Sequence, residues 1–210
     1  MKLVTHTFLT LDGVMQGPGG AEEDPSGGFG RGGWLVPFSD ADMGVIVESW
    51  FARTEAILLG RNTYETMRVY WSQVTDPANG AATKLNHGRK YVVSNTLTDP
   101  TWENTSVITG DVAAELTKLK ADTRLGTTGS ATLVRWLLEQ GLVDELHLLV
   151  HPIVVGHGKK LFADGATVPL KLVSSTTFDT GVLYLVYARA DNAVAVDNVG
   201  ADDTGTAADS

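Results

Sequence analysis

The chain opens on KLVTHTFL (residues 2–9), a strand-length run of apolar and β-branched residues. A long glycine-rich connection follows, GVMQGPGGAEEDPSGGFGRGGW (13–34), with the composition of a loop. Ser39 is placed to cap a helix running to about Arg53. Asp40 and Asp42 then fall in its first turn, where acidic groups meet the positive end of the helix dipole. EAILL (55–59) reads as a short buried strand, and RNTYETMRVY (61–70) as a helix entered through Gly60. KYVVS (90–94) and SVIT (106–109) are strand-like, and DVAAELTKLKAD (111–122) is an amphipathic helix. RLGTT (124–128) is a short strand with one strong core residue, Leu125. Leu133, Trp136, Leu137 and Gln140 keep helical spacing, and Gly141 suits the residue just past the helix end. DELHLLVHPIVV (144–155) is a long apolar strand. LKLVSSTTF and VLYLVYARA form a hairpin joined through Asp179, Thr180 and Gly181.

Strands alternating with helices, closed by an antiparallel hairpin, predict a three-layer α/β domain with a mostly parallel central sheet. Residues 1–189 are expected to form that one domain. Residues 190–210 are small, polar and acidic without aromatics, and are expected to be a disordered tail, because they bury too little apolar area to offset their ordering entropy.

Composition narrows the classes. Apolar residues make up 43% and charged ones 20%, ordinary values for a globular domain. No apolar run reaches the roughly 18–20 residues of a membrane span, and the N-terminus lacks the features of a secretory signal, so a cytoplasmic protein is expected. There is no cysteine, which excludes disulfides and thiolate metal sites. The formal charge is -9; five of the acidic residues lie after Ala190, leaving -4 on residues 1–189. Nucleic acid is not an expected partner for so acidic a chain.

Three junctions carry the candidate chemistry. In LLGRNTYE (58–65), Gly60 permits close backbone approach, Arg61 offers a fixed cation, and Thr63 puts a hydroxyl in the first helical turn. In VVSNTL (92–97), a strand ends in Ser94, Asn95 and Thr96. In TTGSATLVRWLLEQG (127–141), Gly129 and Ser130 stand at a helix start. Each alone is compatible with ordinary capping or turn chemistry. Together, at the carboxyl ends of strands in an open sheet, they suit an extended ligand with several phosphates.

LGRNTYE, VVSN and the block GSATLVRWLLEQGLVDELHLLVHPIVVGHGKKLF (129–162) resemble the dihydrofolate reductase fold. More closely, they resemble the reductase domain of the riboflavin-biosynthesis deaminase–reductase family; LTLDGVMQ (9–16) and EDPSGGFGRGGW (23–34) fit its stand-alone members. The resemblance covers roughly residues 2–189 and implies an NADPH site and a homodimer. It implies that Gly60, Arg61 and Thr63, with Ser94 and Asn95, hold the adenosine end and its 2′-phosphate. Gly129, Ser130 and Ala131 would seat the pyrophosphate, with Thr128, Thr132 and Leu133 lining the same loop. Val14, beside Asp12 and Gly13, would lie near the nicotinamide. Many relatives carry two consecutive glycines where this chain has Gly129 and Ser130; serine still offers a hydroxyl and an N–H.

Hydride transfer to a C=N bond needs a proton on nitrogen; the resemblance implies a carboxylate on the helix preceding the Gly-Arg junction, a region that here holds Asp40 and Asp42, and Asp12 is a second candidate. Helix-start charging and turn formation are their plainer roles. Trp34 and Trp71 flank loops expected to border a substrate pocket, where either ring could stack on a heterocycle or simply pack. His147 and His151 share one strand face, but no third ligand is placed to complete a metal site. The expected function is an NADPH-dependent reductase of a small heterocycle of the pterin or ribosylaminopyrimidine class. The alternative is a non-catalytic dinucleotide-binding or dimer-forming module.

Overall fold

The first strand, β1 (Leu3–Thr10), is buried along nearly its whole length, as a strand covered on both faces must be. A computed structural model describes residues 1–190 and shows why. The expected acidic tail lies, from residue 191 on, outside the described residues. The further strands are β2 (Ala56–Gly60), β3 (Arg89–Val93), β4 (Thr105–Ile108), β5 (Leu125–Thr127), β6 (Glu145–His151), β7 (Leu170–Thr177) and β8 (Leu183–Arg189). They form one eight-stranded sheet in the order β4-β3-β2-β5-β1-β6-β8-β7. The pairings from β4 to β6 are all parallel, and β8 runs antiparallel to both β6 and β7.

Strand alternation sorts the core into two layers. On β1, Leu3 and Leu9 face α5 (Ala131–Glu139), and pack with Leu133, Val134 and Leu137. His6 and Phe8 face the other way, against Trp50 of α1 (Ala41–Arg53). On β2, Ala56 and Leu58 join the first layer, whereas Ile57 and Leu59 pack under Tyr64 of α2 (Arg61–Trp71) and Leu85 of α3 (Gly80–His87). The remaining helix, α4 (Val112–Asp122), adds Leu116 to the α5 layer. The three-layer α/β architecture expected from the pattern is the one observed.

Four local differences have physical causes. Asp40, not Ser39, caps α1: its carboxylate accepts from the Met43 N–H at 2.8 Å, while the Ser39 N–H bonds Val36 O and closes a preceding 3-10 turn. The strand expected over 144–155 stops at His151, because Pro152 has no N–H to continue the ladder. Residues beyond it bond the glycine-rich segment instead, through Leu11 N to Ile153 O (2.8 Å), Met15 N to Lys159 O (2.9 Å) and Leu161 N to Gly13 O (3.0 Å). Helix α3 was not expected at all. Its apolar content is slight, and its C-terminal carbonyls are satisfied from the next strand, where Lys90 Nζ donates to Leu85 O (2.7 Å) and Gly88 O (2.8 Å). Lastly, β7 carries a register shift between Leu172 and Ser174, so Val173 is left unpaired on the outer edge.

Candidate active site

The three junctions become neighbours because β3, β2 and β5 are adjacent strands that all run the same way. Their carboxyl ends therefore deliver Ser94, Gly60 and the 128–130 turn to one edge of the sheet. β5 is only three residues long and pairs with Leu3 to Thr5 of β1, so β1 continues to Thr10 without a β5 partner. The 128–130 turn crosses there. Contact between the junctions is intimate: a methyl group on Gly60 would stand 2.6 Å from Ser130 Oγ, and one on Gly129 would stand 3.4 Å from the Thr63 side chain. Gly129 also has φ +110°, a backbone conformation that disfavours any side chain. The peptide it forms with Ser130 is cis.

Two helix N-termini converge here. No side chain caps α2 at Gly60, which leaves its first-turn N–H groups for a ligand. At α5, Ser130 Oγ accepts from Leu133 N over a long 3.4 Å. Thr128 is half-buried, Ala131 and Leu133 are buried, and Thr132 is exposed on the first turn. Arg61 is exposed; its Nε donates to Glu65 Oε1 at 2.8 Å and its Nη1 to the Thr96 hydroxyl. Ser94 Oγ in turn accepts from the N–H groups of Thr96 (3.1 Å) and Leu97 (3.0 Å), which fixes the loop that presents exposed Asn95. The result is a guanidinium, two helix dipole ends and several hydroxyls along one edge, a set of donors that suits a polyanion.

On the β1 side of the junctions, Val14 is fully buried, and its N–H donates to Thr10 Oγ1 at 2.9 Å. Trp34 is buried beside it, with Nε1 donating to Gln16 O at 2.8 Å. Asp42 lies exposed at the start of α1, next to the hairpin turn at Asp179 and Thr180. Both lie at the carboxyl end of the sheet.

Two expected residues are placed otherwise. Asp12 accepts from Thr10 Oγ1 (2.6 Å), Gly156 N (2.8 Å) and Val155 N (3.3 Å). Desolvation alone would raise its pKa, but these hydrogen bonds outweigh it and hold the carboxyl below its ordinary value. Asp12 thus fastens two loops as a carboxylate, the reverse of the raised pKa a proton donor needs. Trp71 ends α2, which starts at the site edge; ten residues on, the helix has run about 15 Å away. Trp71 packs on Tyr70 with ring centres 5.2 Å apart and takes no part in the site.

Two further groups were not singled out as site residues from the sequence. Thr96 completes the Arg61 contact and could have been found as the second hydroxyl of the Ser94–Thr96 turn. His151 ends β6 opposite Thr10 and is fully buried among Phe8, Trp34 and Phe38. Its partner in the sequence pattern, His147, is engaged elsewhere, with Nδ1 2.7 Å from Tyr184 Oη. A separate cleft of about 400 Å³ lies between α5, Phe162 and Arg189, away from all three junctions.

Comparison with known proteins places the chain in a family and a fold. Bacillus subtilis (strain 168) YyaP, an uncharacterized protein, is 31% identical over 192 residues, spanning 89% of this chain and 94% of its own. Among solved structures, a Shewanella sp. PV-4 protein ascribed to riboflavin biosynthesis superposes with TM-score 0.69 at 19% identity, covering 90% of this chain and 99% of that one. A pyrimidine reductase-like protein of Corynebacterium diphtheriae gives TM-score 0.59 at 16% identity, covering 91% and 92%. Acinetobacter baumannii RibD gives TM-score 0.59 at 14% identity, covering 90% of this chain and 58% of that one. At these identities the structures establish a shared fold. The RibD C-terminal domain model matches residues 1–184, nearly all of the described chain, and the protein belongs to the RibD C-terminal domain family.

Proposed function

We propose that this protein is a cytoplasmic NADPH-dependent reductase, with residues 1–189 acting as one catalytic domain on a small heterocycle of the pterin or ribosylaminopyrimidine class. The observation that carries this is the close packing of Gly60 against Ser130, with no room for a methyl group between them, which brings the uncapped start of α2 beside the start of α5. Family membership and the reductase-like relatives support the reaction class. The bound nicotinamide would supply the hydride. This chain's residues would do the rest. Gly129, Ser130 and Ala131 at the start of α5, with Thr128, Thr132 and Leu133 lining the same loop, would hold the pyrophosphate, and Gly60 and Thr63 at the start of α2 would meet the adenosine end. Arg61, steadied by Thr96, would meet the 2′-phosphate, with Ser94 and Asn95 flanking the adenosine. Val14 would face the nicotinamide, and Trp34 would border the substrate. Asp42, exposed in the first turn of α1, is assigned the supporting acid role, since Asp40 beside it is spent capping the helix. A homodimer is part of the proposal; the exposed outer strand β7, with Leu172 and Val173, supports it.

Fluorescence titration with NADPH and NADH tests the assignment. NADPH is expected to bind about tenfold or more tightly, because a phosphate–guanidinium contact is charge-assisted. Arg61→Leu should erase the preference while leaving NADH affinity unchanged. Equal affinity of the wild-type protein for both nucleotides would overturn the role of Arg61.

A further inference from the structure

His151 presents a buried acceptor with nothing to accept from. Its Nδ1 lies 3.0 Å from Leu149 O and 3.2 Å from Leu9 O. Both are carbonyls, which only accept, so Nδ1 carries the proton and Nε2 carries the lone pair. Nε2 has no hydrogen-bond partner among the described residues, although the whole side chain is 0% exposed. The groups around it explain this. Phe8 and Phe38 have no side-chain donor, and the one donor of Trp34 is spent on Gln16 O. Burial pushes the pKa of His151 below its usual value, despite the two backbone contacts, so the ring stays neutral and the lone pair stays available.

Position gives this atom a use. His151 is the last residue of β6, level with Thr10, the last of β1. Thr10 Oγ1 supports both Asp12 and Val14, so His151 shares the edge on which the dinucleotide is proposed to end. Two of the three rings covering it, Trp34 and Phe38, belong to a surface segment outside the sheet and the main helices. That segment is tied down by Gly33 N to Gly17 O (2.8 Å) and Leu35 N to Pro18 O (3.2 Å). A buried acceptor left unpaired is destabilising, and one at a ligand edge is satisfied when the ligand brings the donor.

Building on the reductase reading above, we infer that His151 Nε2 accepts a hydrogen bond from the cyclic-amide N–H of the substrate's pyrimidine ring, when the 34–38 segment moves aside to admit it. This contact orients the heterocycle and selects rings with a donor at that position. It makes His151 a substrate-binding residue rather than a metal ligand or a proton donor.

The test is a ¹⁵N-NMR titration of the histidine side chains of the full-length protein, with dihydrofolate and with a ribosylaminopyrimidine as probes. At least one probe is expected to move the His151 Nε2 resonance, while NADPH alone leaves it near its free position. His151→Phe should lower the affinity for that probe about tenfold, the worth of one buried hydrogen bond. His151→Gln, which keeps an acceptor, should recover part of it, and NADPH affinity should be unchanged in both. An unmoved Nε2 resonance at probe saturation, wild-type probe affinity in His151→Phe, or no binding of either probe would overturn the inference. NADPH binding is measured separately on the wild-type protein. Its absence would overturn the dinucleotide site without touching the probe result.

Discussion

At the scale of single residues, the site depends on atoms that are missing as much as on atoms present. Gly60 is the clearest case. Its hydrogen faces Ser130 Oγ where a methyl group would be 2.6 Å away, 3.4 Å from Ser130 Cβ and 3.7 Å from Leu133 Cβ. Gly60→Ala must therefore displace the Ser130 hydroxyl from its place at the start of α5. The expected result is a loss of about 1–3 kcal/mol in urea unfolding, the usual range for overpacking. NADPH affinity should fall more than that of a surface control such as Gly110→Ala, where the added methyl meets open space but φ is +72°. The sequence makes Gly60 visible, since a glycine between a strand and a helix asks for an explanation. What it faces comes from a turn seventy residues away in the chain. Asp12 is the opposite case. An aspartate before a glycine is easily read as turn former or acid, and only the amides of Val155 and Gly156, far along the chain, settle it as a fastened carboxylate.

At the scale of elements, the glycine-rich connection is held as a clasp. Gln16 donates to Asp24 O (3.0 Å) and Ser26 O (2.9 Å) and accepts from Lys159 N (2.9 Å). Lys159 Nζ reaches across to Asp24 Oδ2 (2.6 Å) and Ser26 Oγ (2.7 Å). These contacts are largely solvent-accessible, so the ion pair contributes little to global stability, about 0–1 kcal/mol. Its effect is local order. Lys159→Met should raise hydrogen-exchange rates across residues 16–34 while the urea midpoint changes little; unchanged exchange there would show that the ion pair does not hold the clasp. The strands and the longer helices were legible because hydrophobic period and capping residues are local signals. Helix α3 was not, since its C-terminal carbonyls are answered by Lys90, a residue of the following strand. The 144–155 strand was overlong for a related reason. Its apolar residues past Pro152 are real, but they serve a loop that packs on the glycine-rich segment.

At the scale of the whole molecule, acid sensitivity follows from the imidazoles buried between the sheet and the α1 layer. His6 is stacked on Trp50 and edge-on to His147. Desolvation first, then the nearby His147 and Arg124 charges, lowers its pKa to about 3. Burial also lowers the values of His147 and His151. A folded-state pKa below the unfolded value of roughly 6.5 means that the unfolded chain takes up more protons between the two. Stability is thus complete above about pH 6.5 and falls as the pH drops from there toward 3. Urea midpoints measured from pH 7.5 to 4 should decline through this window, and His6→Phe, which keeps a ring on Trp50, should flatten the slope. A profile flat down to pH 4 would contradict the assignment. The sequence by itself determined the layers, the parallel sheet with its terminal hairpin, and the three junctions, because period, glycine placement and helix starts are written in neighbouring residues. Only the tertiary structure decided that those junctions touch, that Trp71 points away, that Asp12 is tied down and that His151 holds an unpaired acceptor. Each of those facts depends on strand order and on contacts between residues distant in the chain, and no local pattern encodes them.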